Sequence, residues 1–332
     1  MRVCSRCYAN SHDVFLDLEQ ITAIMPSITQ HLAERGLIRP PSFLPTNVMY
    51  ETLMGSVAYG VSSENSDRDI YGFAIPPKED LFPHLAGEIA GFGKPQPRFE
   101  QFQMAHVHDP GAAGGKGIEY DLSIYSIAKY FTLCMECNPN IIDSLFTPQE
   151  CVLQLTRVSS MVRDNRRLFV HKGVWVRFKA YAYAQLHKMR SRNPTGKRTQ
   201  IREEFGFDVK YAYHVVRLMY ECEQLLMYGE MDLRRDREHL KAIRRGEVTE
   251  TEIREWAGSK EKQLEQLYLE SKIPDRPDEN AIRELLMNCL EEHYGNLSGI
   301  VARPNSAQVA LKEITAIVDR FRSGLSHGSE DV

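Results

Sequence analysis

The apolar pattern of this chain changes its period once, near residue 126. Before that point the short runs 47–54, 69–75 and 119–125 are rich in Val, Ile, Tyr and Phe and are bounded by Gly, Pro, Ser and Asp, as strands are. After it, apolar residues recur three and four apart through 126–137, 151–169, 174–190, 208–228, 249–269 and 279–294, the spacing of amphipathic helices. That order predicts an α+β chain: a small head with a mixed sheet and flanking helices, followed by an all-helical domain. The break at Thr147-Pro148-Gln149-Glu150 sets the expected boundary, with a head over 1–147, a helical domain over 148–322 and a polar, flexible tail over 323–332.

Within the head, Ile21, Ile24, Met25, Ile28 and Leu32 have helical spacing, and Arg39-Pro40-Pro41 closes that segment. Residues 76–117 hold scattered prolines and the run Gly111-Ala112-Ala113-Gly114-Gly115-Lys116-Gly117, so a mobile loop or insertion is expected there. The glycine run is not a P-loop, because Pro110 stands where the first glycine is needed and Gly117 follows the lysine in place of Ser or Thr.

Composition bounds the class of function. With 41 Lys+Arg against 45 Asp+Glu the chain carries −4, so no global positive field draws it to polyanions and any such site must be a local patch. Seven cysteines, an odd number, fit free thiols in a reducing compartment better than a disulfide scaffold. No uninterrupted apolar run reaches the roughly 18 residues of a membrane span, and residues 1–7 lack a signal-peptide pattern. A soluble cytoplasmic protein without membrane attachment is the expectation.

The chemistry concentrates in Gly55-Ser56-Val57-Ala58-Tyr59-Gly60 and Ser66-Asp67-Arg68-Asp69-Ile70-Tyr71-Gly72. A strand ending at Gly55-Ser56 lets backbone approach a ligand closely and offers a hydroxyl to an anion such as a phosphate. Asp67 and Asp69, two apart at the head of a strand, share one face while Arg68 points away. Paired carboxylates beside a phosphate-binding turn suit Mg²⁺, which is held by one or two carboxylates plus substrate phosphates. Glu119 and Asp121 share a face of the next strand, and Asp121 is the better third carboxylate for a two-metal phosphoryl-transfer site.

Gly-Ser, a short spacer, Asp-x-Asp and a later strand acid together resemble the DNA polymerase beta-like nucleotidyltransferase superfamily, in particular its predicted RNA-repair-pathway group. The matching residues are Gly55, Ser56, Ala58, Tyr59, Gly60, Ser66, Asp67, Asp69 and Gly72. A second block matches at Asp121, Tyr125, Lys129 and Asn138-Pro139-Asn140. A third matches at Gly206, Phe207, Asp208, Lys210, Ala212, His214, Arg217 and Leu218, with Tyr211 departing from the usual His. The likeness spans roughly residues 50–275. It implies an enzyme that moves a nucleoside monophosphate from an NTP to an acceptor hydroxyl and releases pyrophosphate, using two Mg²⁺ or Mn²⁺ ions. Asp67, Asp69 and Asp121 are its expected catalytic and metal-binding residues, and Gly55, Ser56, Tyr59, Ser66, Lys129, Lys210, His214 and Arg217 its expected nucleotide-binding residues. Lys210, His214 and Arg217 also stand four and three apart, one stripe of a helix.

The segment 187–202 holds six Lys/Arg and no acid, namely Lys188, Arg190, Arg192, Lys197, Arg198 and Arg202. Such a patch suits phosphate tracking, so an RNA 3′ end, tRNA included, is the preferred acceptor beside the NTP. Transfer to a protein or small molecule is the alternative, and a non-catalytic nucleotide- or RNA-binding regulator is a third reading. Cys4/Cys7 and Cys134/Cys137 form Cys-x2-Cys pairs that read as free thiols more readily than as a zinc site. His106-Val107-His108-Asp109 is a weak metal-ligating pattern.

Overall fold

A computed structural model describes residues 26–62, 66–89, 92–93, 97–191 and 197–295, with the single positions 297, 314, 315, 317 and 318. In chain order the head comprises α1 (Ile28–Glu34), α2 (Leu44–Asn47), β1 (Val48–Leu53), α3 (Gly55–Ala58), β2 (Arg68–Ala74), α4 (Lys78–Leu81), β3 (Gln101–Asp109), β4 (Ile118–Ser126), α5 (Ile127–Met135), α6 (Pro139–Leu145) and β5 (Val152–Leu155). The rest is helical: α7 (Arg157–Asp164), α8 (Gly173–Ser191), α9 (Lys197–Phe205), α10 (Val209–Tyr228), α11 (Arg237–Arg244), α12 (Glu250–Glu270) and α13 (Glu279–Tyr294).

The sheet has five strands in the order β3-β4-β2-β1-β5; β2 and β4 run parallel and every other neighbouring pair is antiparallel. The predicted mixed sheet followed by helices is therefore the observed architecture. Two strands fall where the sequence reads otherwise. β3 lies inside the segment expected to be a loop, because as a largely exposed edge strand it shows no apolar alternation for most of its length. β5 lies inside a run that reads as helical and pairs with β1, so the sheet takes a strand from beyond residue 147. Its four residues are all partly buried, which leaves no period to read.

The two faces of the sheet bury different partners. Ile70, Ala74, Leu122 and Ile124 point to the face covered by Leu32 of α1, Ile38 and Leu44. Tyr50, Phe73 and Tyr125 belong to the larger cluster, which continues through α5 and α6 into α10, α12 and α13. Head and helical region thus share one core. By the period of two, Asp69 and Asp121 sit opposite Ile70 and Leu122, on the face turned toward the helical region.

A buried carboxylate holds α1 against the sheet. Glu51 of β1 accepts the N–H of Ile28 at 2.6 Å and of Thr29 at 3.0 Å, supplying acceptors to helix-terminal donors, while Ser27 Oγ accepts from Gln30. Burial pushes the Glu51 carboxyl above its usual range despite these bonds.

Candidate active site

β1 ends at Met54, whose N–H donates to the Asp69 carbonyl at 2.7 Å and seats the following turn on β2. Gly55 has φ +61°, and a Cβ there would stand 1.8 Å from Asp69 Oδ2. Only glycine fits, on two counts: the left-handed backbone and the carboxylate lying over it. The turn closes with Tyr59 N–H donating to Gly55 O at 3.2 Å and Val61 N–H to Ser56 O at 2.9 Å. Ser56 is half-buried at its rim.

Asp67 is exposed at the entry to β2, and Asp69 follows two residues on, half-buried. The parallel register of β2 and β4 sets Asp69 directly beside Asp121. Registered residues of neighbouring strands face the same way, so the two carboxylates share a face with Asp67. Their crowding has an electrostatic signature: burial first, then the charge of Asp121, raises the Asp69 carboxyl to about 6 against the pull of Lys210. A cation relieves such a cluster, and an all-oxygen donor set of this kind fits Mg²⁺ or Mn²⁺.

Asp121 has a second neighbour that its spacing did not announce. A register break between Met104 and Val107 lets His106 bulge out of β3 with φ +57°. Its N–H donates to Asp121 Oδ1 at 2.7 Å, and its Nδ1 meets the Glu119 carboxylate. Among the described residues, His106, Glu119 and Asp121 are the one group of three whose donor atoms all lie within 4.8 Å of one another. The expected trio Asp67, Asp69 and Asp121 is not gathered that tightly.

With this geometry in view, comparison with known proteins decides the family. The model of the RNA repair pathway DNA polymerase beta family (RlaP) matches residues 29–288. The chain belongs to that family. The match begins well before residue 50 and so includes all but the first residue of α1, which the motifs alone left out. No curated protein matches. Among solved structures, a nucleotidyltransferase-like protein from Exiguobacterium sibiricum 255-15 shares 10% identity, with 80% of this chain and 72% of that chain covered and a TM-score of 0.26. At that score the likeness carries no argument.

The family's third block divides in two in this chain. Asp208 caps α10, its Oδ1 accepting from the N–H of Lys210 at 3.0 Å and of Tyr211 at 3.4 Å. Exposed Lys210 stands close enough to Asp69 to oppose the rise of its carboxyl, and half-buried His214 lies against the Tyr213 ring, tilted, at 4.2 Å. Arg217 and Tyr59 depart from the expected nucleotide contacts. Arg217 is 4% exposed and Tyr59 2%; Arg217 is committed to Tyr59, Asp143 and Glu221 in the core and Tyr59 to Asp143, so neither is free to meet a triphosphate. Lys129 lies in the first turn of α5, its Nζ 3.6 Å from Glu100 Oε2, and Ser66 is half-buried just before Asp67.

Two arginines that the sequence reading missed brace the Gly55 turn from the helical region. Arg234 Nε donates to Ala58 O at 3.1 Å, and Arg244 Nη1 to Val61 O at 2.6 Å. The Arg234 side chain also comes within 3.5 Å of where a Cβ on Gly60 would lie. The signal was a second basic run, 234–245, overlooked because Asp236 and Glu238 interrupt it.

Of the expected nucleic-acid contacts, Lys188 is exposed on α8 and Arg202 is half-buried on α9. Arg192 and the side chains of Arg190, Lys197 and Arg198 lie outside the described residues. Cys4 and Cys7 also lie outside them. Cys134 and Cys137 are buried and free, and burial holds both as thiols, Cys137 up to about 12. Cys137 Sγ lies 3.1 Å from His171 Nε2, which also meets the Met135 carbonyl at 2.9 Å. No helix of the described residues is long and apolar enough to cross a membrane.

Proposed function

We propose that this protein is a divalent-metal-dependent nucleotidyltransferase that transfers NMP from an NTP to an acceptor hydroxyl, with an RNA 3′ end as preferred acceptor and pyrophosphate as product. The observation that carries the reading is the β2–β4 register, Asp69 beside Asp121, with the Gly55 turn laid against Asp69. Family membership supports the reaction class, and the family's place in RNA repair supports RNA as the acceptor.

In this reading Gly55 and Ser56 receive the β- and γ-phosphates, because a residue without Cβ lets the phosphate oxygens approach main-chain donors. Lys210, across from Asp69, adds the positive charge that a triphosphate needs beside an acidic face. Asp121 keeps one carboxylate oxygen for His106 N–H and turns the other to the acceptor hydroxyl, whose proton it draws. Arg234 and Arg244 hold the carbonyls at the far end of the turn, so the phosphate seat is rigid before substrate arrives. Two Mg²⁺ or Mn²⁺ ions held by Asp67, Asp69 and Asp121 would supply a lowered hydroxyl pKa and charge neutralisation of the leaving pyrophosphate.

The test incubates the full chain with Mg²⁺ or Mn²⁺ and each α-labelled NTP, with and without RNA, and resolves RNA from protein. Label on RNA supports the proposal. Label on the protein instead would reject RNA as the acceptor, and label on neither would reject the enzyme reading.

A further inference from the structure

His106 stands beside two carboxylates as a metal ligand would, its ring paired with Glu119 and its main chain with Asp121. Its side chain is 79% exposed, so the ring is not buried for packing. The residue occupies a left-handed backbone conformation that costs a side-chain-bearing residue about 1 kcal/mol or more. Through its main chain it fixes Asp121 Oδ1 at 2.7 Å, and through its ring it meets Glu119. Glu119 and Asp121 project from the same face of β4, two residues apart. Three donor atoms of two chemical kinds, imidazole nitrogen and carboxylate oxygen, therefore gather within 4.8 Å. A divalent ion with bonds near 2.1 Å sets its ligands about 3 Å apart when adjacent and about 4 Å when opposite, so an ion would enter among these atoms by parting the His106–Glu119 pair and drawing the carboxylates around itself.

We propose that His106, Glu119 and Asp121 bind a first-row transition divalent cation in preference to Mg²⁺. The inference rests on the nucleotidyltransferase reading only for the catalytic importance of Asp121; the site itself follows from the donor set. Mg²⁺ is hard, takes oxygen ligands and keeps its waters, so an imidazole adds little to its binding. A transition cation gains from the nitrogen, and the Asp121 carboxylate then makes this site continuous with Asp69 and Asp67. Under this assignment Asp121 joins the edge strand β3 to the catalytic face, and the bulge at Met104/Val107 exists to deliver the imidazole.

Mn²⁺ is the probe, added to the full-length protein and followed by electron paramagnetic resonance. Titration counts bound ions and gives their affinity, and spin-echo modulation detects a coordinated ¹⁴N directly. Wild type is expected to hold Mn²⁺ with ¹⁴N modulation. In His106→Asn, chosen because asparagine tolerates the left-handed backbone, the modulation should vanish and the dissociation constant rise about tenfold or more. Glu119→Gln should retain the modulation and weaken binding. Displacement of Mn²⁺ by Mg²⁺ should need about tenfold less Mg²⁺ in His106→Asn than in wild type. Unchanged circular dichroism shows that the variants are folded. Bound Mn²⁺ without nitrogen coupling in wild type, or coupling that survives in His106→Asn, would overturn the assignment. Nucleotidyl transfer is scored separately. A nitrogen-coordinated ion in a protein that labels nothing defeats the enzyme reading alone, and transfer without nitrogen coupling defeats the His106 site alone.

Discussion

The Tyr59 hydroxyl accepts a hydrogen bond from Arg217 Nη1 at 2.8 Å, and the guanidinium also lies 4.2 Å over the tyrosine ring. Tyr59 donates in turn to Asp143 Oδ2 at 2.8 Å, and Arg217 Nη1 reaches Asp143 and both oxygens of Glu221, at 2.8 and 3.0 Å. The last residues of the Gly55 turn are thereby tied to α6 and α10 through a buried polar cluster. Two motif blocks far apart in sequence, each suggesting nucleotide contacts, are instead partners in holding the head on the helical region.

Removing the cation from that cluster leaves two buried carboxyls without their partner. Arg217→Met is therefore expected to lower stability by about 3–5 kcal/mol, whereas Tyr59→Phe should cost about 1–3 kcal/mol. Urea unfolding monitored by circular dichroism measures both. Equal, small losses for the two variants would contradict the clasp.

One guanidinium faces two buried carboxyls, and burial pushes Glu221 well above its usual range and Asp143 above its own, so burial favours a proton on the cluster. A carboxyl whose folded pKa is raised binds more protons folded than unfolded. Its stabilising contribution is full below its ordinary pKa of about 4.5 and is lost as pH rises through the raised folded value. Glu221→Gln imitates the protonated form and should flatten that part of the stability-versus-pH curve while leaving the fold intact. Parallel curves for wild type and variant would refute the proton assignment.

The crowded carboxylates of β2 and β4 set function against stability. Asp69→Asn removes like-charge repulsion and should stabilise the metal-free protein by about 1 kcal/mol. Mn²⁺ at a hundredfold excess over its dissociation constant should stabilise wild type by about 2.7 kcal/mol, and Asp69→Asn by much less. Differential scanning fluorimetry with and without Mn²⁺ reads both effects, and equal metal-induced shifts in the two proteins would contradict an Asp69 ligand.

Arg244 acts on the phosphate seat through a carbonyl. Arg244→Met removes the donor to Val61 O, 2.6 Å away, and is expected to raise KM for NTP about tenfold while kcat falls less. Arg244→Lys should recover part of the loss. A kcat defect with unchanged KM would place Arg244 outside this role.

The spacing of Gly55, Asp67, Asp69 and Asp121 was legible because strand period and turn chemistry are local, and the register Asp69 to Asp121 follows once β2 and β4 pair. The strands β3 and β5 were not legible: a polar edge strand and a four-residue strand carry too few alternating positions. Nor was the fate of Arg217. Its residue type says cation, and whether it meets a phosphate or a buried acid depends on Asp143, a partner 74 residues away in sequence. Glu221, four residues on along the same helix, was the readable hint. His106 was legible only as part of a weak metal-ligating pattern, and its pairing with Glu119 and Asp121 was not, because a bulge and not strand parity aims it.

The most direct measurement is transfer of label from α-labelled NTP to RNA by wild type and by Asp69→Asn, in the presence of Mn²⁺ with pyrophosphate quantified. The account predicts label on RNA and stoichiometric pyrophosphate from wild type, and a loss of at least a hundredfold, roughly 2.7 kcal/mol or more, in Asp69→Asn. Indistinguishable outcomes from the two proteins would contradict it.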